Sequence, residues 1–280
     1  MVSMNRLDNA RRSQVIRCLV EGNSIRSTVR LTGVAKNTVT KLLVELGAVC
    51  ARFMDGAMVN LKCERIQCDE IWSYVGAKAK NAQPHHFEKG GYAGDVWTWT
   101  AIDADSKLIP CWMIGARDAG AARDFMGDLA GRLSECVQLT TVGHKPYLNA
   151  VKNAFGNDID YAMLVKIYGD STEGQKRYSP AQVLGCERHV VKGTPDPKFI
   201  STSYVERQNL TMRMSMRSFT RLTNGFSKKV ENHAAALAVY FMYYNFGRVH
   251  QTLKTTPAVR AGVAAHVWSV EEIVSLMDSN

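Results

Sequence analysis

Residues 137–147 read VQLTTVGHKPY. An apolar run, VQLTT, meets a glycine, and Pro146 and Tyr147 then sit where the first turn of a helix belongs. Proline fits that position because its missing N–H has no intrahelical partner there. The stretch therefore predicts a strand that delivers its tip, Thr141-Val142-Gly143, to a sheet edge before the chain turns into a helix.

Working outward, the preceding segments supply the rest of a sheet. RIQCDEIWSY, 65–74, alternates imperfectly and predicts a first strand carrying Asp69. Residues 75–94 contain several glycines and a proline and predict a hairpin connection. VWTWTAID is a second strand, the turn Asp103-Ala104-Asp105-Ser106 follows, and LIPCWMIG, 108–115, is a third. GAARDFMGDLAGRLSE is a helix, with Phe125, Met126, Leu129 and Leu133 on one face, and VQLTT is the fourth strand. Strand, strand, strand, helix, strand predicts an α/β fold with a mixed sheet of the ribonuclease-H-like kind, in which the first and fourth strands lie side by side.

Ahead of this domain, residues 11–49 repeat apolar residues at helical spacing. Val15, Ile16, Leu19 and Val20 form one group, and Gly22 ends that helix. Asn23 or Ser24 caps a second helix, which breaks at Thr32-Gly33. Val39, Leu42, Leu43 and Leu46 line a third. This is helix-turn-helix spacing, and it turns Thr38, Thr40 and Lys41 toward a DNA groove or its phosphates. A plain helical subdomain has the same pattern. The domain organisation predicted is a helix-turn-helix module at 1–60, a ribonuclease-H-like domain at 65–250 with a loop-like insertion near 170–200, and a tail at 251–280 with a short helix over VWSVEEIVSLMD.

Charge points the same way. The 280 residues carry a formal +9, with 35 Lys and Arg against 26 Asp and Glu. Residues 1–66 hold 11 basic against 5 acidic side chains and residues 201–260 hold 9 against 2, leaving the rest mildly acidic. Two basic segments predict a polyanionic partner. The seven cysteines are odd in number, and Cys63 and Cys68 lack the close spacing of a zinc knuckle, so free thiols in a reducing compartment are expected. No stretch reaches 18 apolar residues and the N-terminus lacks a signal-peptide run, which predicts a cytoplasmic protein with no membrane partner.

Late in the chain, SYVERQNLTMRM carries Glu206 and shows helical periodicity through Tyr204, Leu210, Met214 and Phe219. Arg213, Arg217 and Arg221 are spaced by four, which places them along one helical face. Arg207, Lys228, Lys229 and Arg248 add to a phosphate-binding set. Strand carboxylates joined by one from a late helix would suit two Mg²⁺ (or Mn²⁺) ions, one activating a hydroxyl and the other stabilising the leaving oxygen.

Longer blocks add a resemblance. DEIWSYVGAK at 69–78, GHKPYLNAV at 143–151, DYAMLVKIYG at 160–169, residues 201–236 and YNFGRVHQTLKTTPA at 244–258 resemble bacterial insertion-sequence transposases of the IS1 type. The resemblance implies an Asp-Asp-Glu enzyme that binds double-stranded DNA at terminal inverted repeats and joins it to target DNA. It also implies a homodimer or higher assembly, associated with the bacterial nucleoid. Asp69 matches the first catalytic Asp and Glu206 the Glu. The second Asp should precede Gly143, where this chain has Val142. Glu70, Asp103, Asp105, Thr141, His144, Asp158 and Asp160 are the candidates for a substitute ligand, and none is convincing by position or chemistry. Two readings stay open: a transposase that has lost a carboxylate, or a DNA-binding or regulatory relative.

Overall fold

A computed structural model describes residues 7–88, 91–169, 182–220 and 224–279. Three helices lead: α1 (Asn9–Val20), α2 (Ile25–Thr32) and α3 (Lys36–Ala57). Asp8 caps α1 by accepting the Arg11 N–H. Of the two candidate caps for α2, Ser24 fills the position and accepts from the Ser27 N–H. Gly33 closes α2 at φ +70°, a left-handed conformation that side chains resist. That glycine sets the turn before α3.

The third helix is much longer than a recognition helix needs. Beyond Leu43 its buried residues Leu46, Gly47, Cys50 and Met54 pass into the core of the following domain. A Cβ on Gly47 would lie 2.6 Å from the Ala235 Cα, so only glycine permits this approach to α7 (Val230–Met242). The helices and the sheet thus share one hydrophobic core.

The mixed sheet contains β1 (Arg65–Val75), β2 (Gly94–Asp103), β3 (Cys111–Gly115), β4 (Gln138–Val142), β5 (Asp160–Tyr168) and β6 (Val183–Lys192), in the order β3-β2-β1-β4-β5-β6. β1–β2–β3 is an antiparallel meander, β4 and β5 run parallel to β1, and β6 returns antiparallel to β5. α4 (Ala119–Arg132) and α5 (Pro146–Phe155) cover one face, where Trp99 packs against Phe125 and Tyr147. α6 (Ser203–Ser215) and α7 cover the other, where Trp112 stacks on Phe241. The short helices α8 (Pro257–Arg260) and α9 (Val270–Ser275) complete the chain. The tail folds back on α1: Arg12 pairs with Asp278 at 2.6 Å, Arg17 with Glu271, and Val270, Ile273 and Val274 are buried.

Three expectations need correction. The segment 170–200 is not all loop, because β6 spans Val183–Lys192 (170–181 lie outside the described residues). β6 is an edge strand, almost wholly exposed on both faces, so no burial imposes the alternation by which strands are recognised. The α6 stripe is also different. Tyr204, Leu210 and Met214 are exposed, and the helix buries Val205, Gln208, Asn209 and Met212 instead, a polar pair included because it meets polar groups on β1 and α7. Finally, the helix carrying Arg213 stops at Ser215. Met216 is extended and Arg217–Phe219 form a separate 3-10 turn, which lets Met216 and Phe219 enter the core. Arg213 and Arg217 therefore do not share one continuous helical face, and Arg221 lies outside the described residues.

Candidate active site and nucleic-acid interface

Alternation along β1 divides its side chains between two environments. Gln67, Asp69 and Ser73 face α6 and α7. Glu70 faces α4 and α5, where its carboxylate accepts from Arg117 Nε at 2.7 Å and the Tyr147 hydroxyl at 3.1 Å. Adjacent acids in the sequence thus stand on opposite faces of the sheet, and Glu70 is already neutralised.

The parallel register pairs Cys68 with Thr141. One step on, Val142 is the neighbour of Asp69 at the end of β4, with its side chain on the same face. This is the position at which the resemblance implies the second Asp, and it is filled by a half-buried apolar side chain packed against the core. Thr141 points to the opposite face and hydrogen-bonds Tyr161.

α6 lies across Asp69. Gln67 positions its start, since the Gln67 Oε1 accepts the N–H groups of Tyr204 at 2.8 Å and Val205 at 3.2 Å. One turn along, Asn209 Nδ2 donates to Asp69 Oδ2 at 2.8 Å, while Asp69 Oδ1 accepts the Glu70 N–H. The Asp69 carboxyl is pushed up to about 7, chiefly by burial, then by Glu70 and Glu206, and against the pull of Lys166 and the Glu70 N–H. Asn209 Oδ1 is buried with no hydrogen-bond partner. Turned over, the amide would accept a proton from a neutral Asp69, so this pair can hold the acid in either charge state.

Glu206 lies one turn before Asn209, on the same side of α6. It accepts from the Thr202 hydroxyl at 2.7 Å and from Lys166 Nζ at 2.5 Å. Lys166 follows Leu164, the partner of Val142, by two residues on β5, so its ammonium reaches the site from beyond the end of β4. Lys166, Asn209, Gln67 and Thr202 were not singled out in the sequence. The three-residue spacing of Glu206 and Asn209 and the two-residue spacing of Gln67 and Asp69 were the available signals.

The other acids are elsewhere. Asp103 and Asp105 sit at the opposite end of the sheet, Asp103 against Ile66 and bonded to Ser106, Asp105 bonded to Arg65. Asp160 opens β5 opposite Gln138 and accepts the Thr194 N–H. Asp158 lies in the turn before β5. His144 packs against Trp99 and Tyr147 on the α4–α5 face, and burial lowers its pKa. Among the described residues, no group of three or more His, Cys, Asp or Glu is arranged to hold a metal ion. Two carboxylates, both already hydrogen-bonded and one of them paired with an ammonium, do not fit a two-ion Mg²⁺ or Mn²⁺ clamp. A divalent ion would have to displace Lys166 and would still lack a ligand from position 142.

The expected DNA contacts are distributed over two regions. Thr38 and Lys41 are exposed at the start of α3, and Lys41 is 3.7 Å from Glu45. Thr40 is half-buried and donates back to the Lys36 carbonyl. α3 begins without a side-chain cap, which leaves its first N–H groups for an outside acceptor. Arg207, Arg217, Lys228, Lys229 and Arg248 are exposed on or after α6, and Arg213 is half-buried. The cysteines are free thiols, five of them buried or half-buried. No described helix is long and apolar enough to cross a membrane.

No family model matches the chain. No curated protein does either. Similar solved structures include the piggyBac transposase synaptic complex with hairpin DNA, at 10% identity over 97% of this chain and 70% of that one, with a TM-score of 0.42. They also include the Mos1 strand transfer complex, at 10% identity over 85% of this chain and 78% of that one, with a TM-score of 0.25.

Proposed function

We propose that this chain is a DNA-binding protein built as an insertion-sequence transposase of the IS1 type, on a ribonuclease-H-like sheet, and that it holds terminal inverted repeats while cutting and joining DNA poorly or not at all. The observation that carries the reading is the placement of Val142 beside Asp69 under the helix that bears Glu206. Asp69 in the middle of β1, Val142 at the end of β4 and Glu206 on α6 support an Asp-Asp-Glu layout with one ligand absent. The basic segments and the exposed start of α3 support a duplex partner, and processing of two element ends requires a homodimer or higher assembly.

A second reading is favoured by the Lys166–Glu206 pair, which satisfies the remaining carboxylate internally. On that reading the chain is a regulator that occupies terminal repeats without catalysis. Changing Val142 to Asp and assaying strand cleavage and transfer with Mg²⁺ or Mn²⁺ separates the two. Activity restored only in Val142→Asp supports the disabled transposase. Inactivity of both proteins with tight binding supports the regulator. Strong activity of the unaltered chain, or no affinity for terminal-repeat duplex, overturns the proposal.

A further inference from the structure

On the face of β1 opposite Asp69, aromatic rings run toward the end of the strand. Trp72 and Tyr74 have centroids 5.7 Å apart, and Tyr74 and Phe226 are 4.9 Å apart, with planes inclined by 33° and 32°. Phe226 is brought there by the backbone, since Gly76 N–H donates to Ser227 O at 2.9 Å. Trp97 lies directly opposite Trp72 on β2. All four residues are half-buried, each leaving part of its surface to solvent.

Cations accompany the rings. Lys78 Nζ is 5.7 Å from the Trp72 centroid and 5.8 Å from that of Tyr74. The Arg117 guanidinium is 5.0 Å from the Trp97 centroid. Two carboxylates on this face are engaged: Glu70 is buried against Arg117 and Tyr147, and Asp95 accepts the Ala79 N–H. A purely structural aromatic cluster would bury its ring faces. Here ring surface and cations are left together at the surface, a combination that suits flat, polarisable groups joined by phosphates.

We infer that Trp72, Tyr74, Phe226 and Trp97 form a stacking platform for unpaired nucleobases of a DNA strand, with Lys78 and Arg117 meeting its phosphates. The inference rests on the proposed DNA function and adds a second surface to it, for single strands and separate from the helix-turn-helix. Stacking makes the recognition tolerant of sequence and dependent on the presence of bases, whereas phosphate contacts alone depend only on charge.

The test compares a 15-nucleotide oligothymidylate with an abasic strand of the same length, using the full chain. Binding is followed by strand anisotropy and tryptophan quenching. The oligothymidylate is expected to bind about tenfold more tightly than the abasic strand, with quenching. Trp72→Leu/Tyr74→Leu, which keeps apolar volume, should bring oligothymidylate binding down to the abasic level while terminal-repeat duplex affinity and melting temperature hold. Equal affinity for the two strands overturns the inference, as does a folded double variant that keeps the preference. If the double variant fails to fold, the two-strand comparison on the unaltered chain decides alone. Loss of duplex binding with the base preference intact would sink the proposed function and leave this platform standing.

Discussion

Lys166 donates to Glu206 at 2.5 Å beyond the end of β4, and the same ammonium draws Asp69 toward its charged form. One internal cation therefore serves two carboxylates. Removing it should be felt at both. In Lys166→Met, the Asp69 carboxyl is expected to titrate above its position near 7 in the unaltered chain, read from the carboxyl carbon by NMR. A midpoint near the usual carboxylate range in either protein would show that Asp69 is not buried against its acidic neighbours. The part-buried ion pair contributes on the order of 1–2 kcal/mol, so a modest drop in unfolding free energy accompanies the shift.

Val142→Asp adds a third carboxylate beside Asp69 while the compensating charge stays at one ammonium. In metal-free buffer at pH 8 we expect a loss of about 1–3 kcal/mol from burying an unmatched charge. Adding Mg²⁺ or Mn²⁺ should recover it and raise the melting temperature in proportion to the logarithm of metal concentration. The unaltered chain should show no such rise. A metal-dependent rise in the unaltered chain would contradict the poor fit of its present donor set to a metal pair.

His233 is fully buried on α7, with Nε2 3.2 Å from the Ser73 hydroxyl, and burial lowers it from 6.5 to about 4. The folded state thus holds the neutral ring. Between pH 6.5 and 4 the unfolded chain binds the proton and the folded chain does not, so stability falls as the solution is acidified through that window. The contribution present above pH 6.5 and lost by pH 4 is at most roughly 3 kcal/mol. Denaturant melts across the window should show this slope reduced in His233→Asn. Equal slopes would mean that other groups dominate the acid limb.

Gly47 tests the union of the leading helices with the sheet. In a free helix, Gly→Ala gains about 1 kcal/mol. Here the added methyl lies 2.6 Å from Ala235 Cα and Cβ and 2.8 Å from its carbonyl oxygen, so α3 and α7 must separate. Gly47→Ala is expected to be destabilised by about 1–3 kcal/mol, overpacking outweighing propensity. A stabilised variant would show that the α3–α7 contact is loose.

Arg217→Ala/Lys228→Ala/Lys229→Ala removes three exposed cations from the segment between α6 and α7 without touching α3. If all three meet phosphates, the slope of log affinity for duplex against log salt should flatten by about 2–3, at about 0.9 per contact. Affinity should fall evenly for specific and unrelated sequences. An unchanged salt slope would place the duplex elsewhere.

Much of the architecture was legible in the sequence. The order of strands around one helix, the glycine break between α2 and α3, and Pro146 at the head of α5 are local signals, and local backbone chemistry suffices to produce them. The absence of an acid at position 142 is likewise plain from the sequence. What surrounds that position was decided by tertiary structure. Glu70 adjoins Asp69 yet faces Arg117 and Tyr147, because a strand alternates. Lys166 reaches Glu206 only because β5 outruns β4 in the sheet, a relation between residues 40 apart. α6 shows an apolar stripe but turns Gln208 and Asn209 inward, since its neighbours offer Tyr240 and Asp69 as partners there. Periodicity reports which side chains avoid water on average, whereas hydrogen-bond partners across the fold choose the face that is buried. β6 shows the limit of that signal: an edge strand exposed on both faces has no burial to write an alternating pattern into its sequence, and only its pairing with β5 defines it.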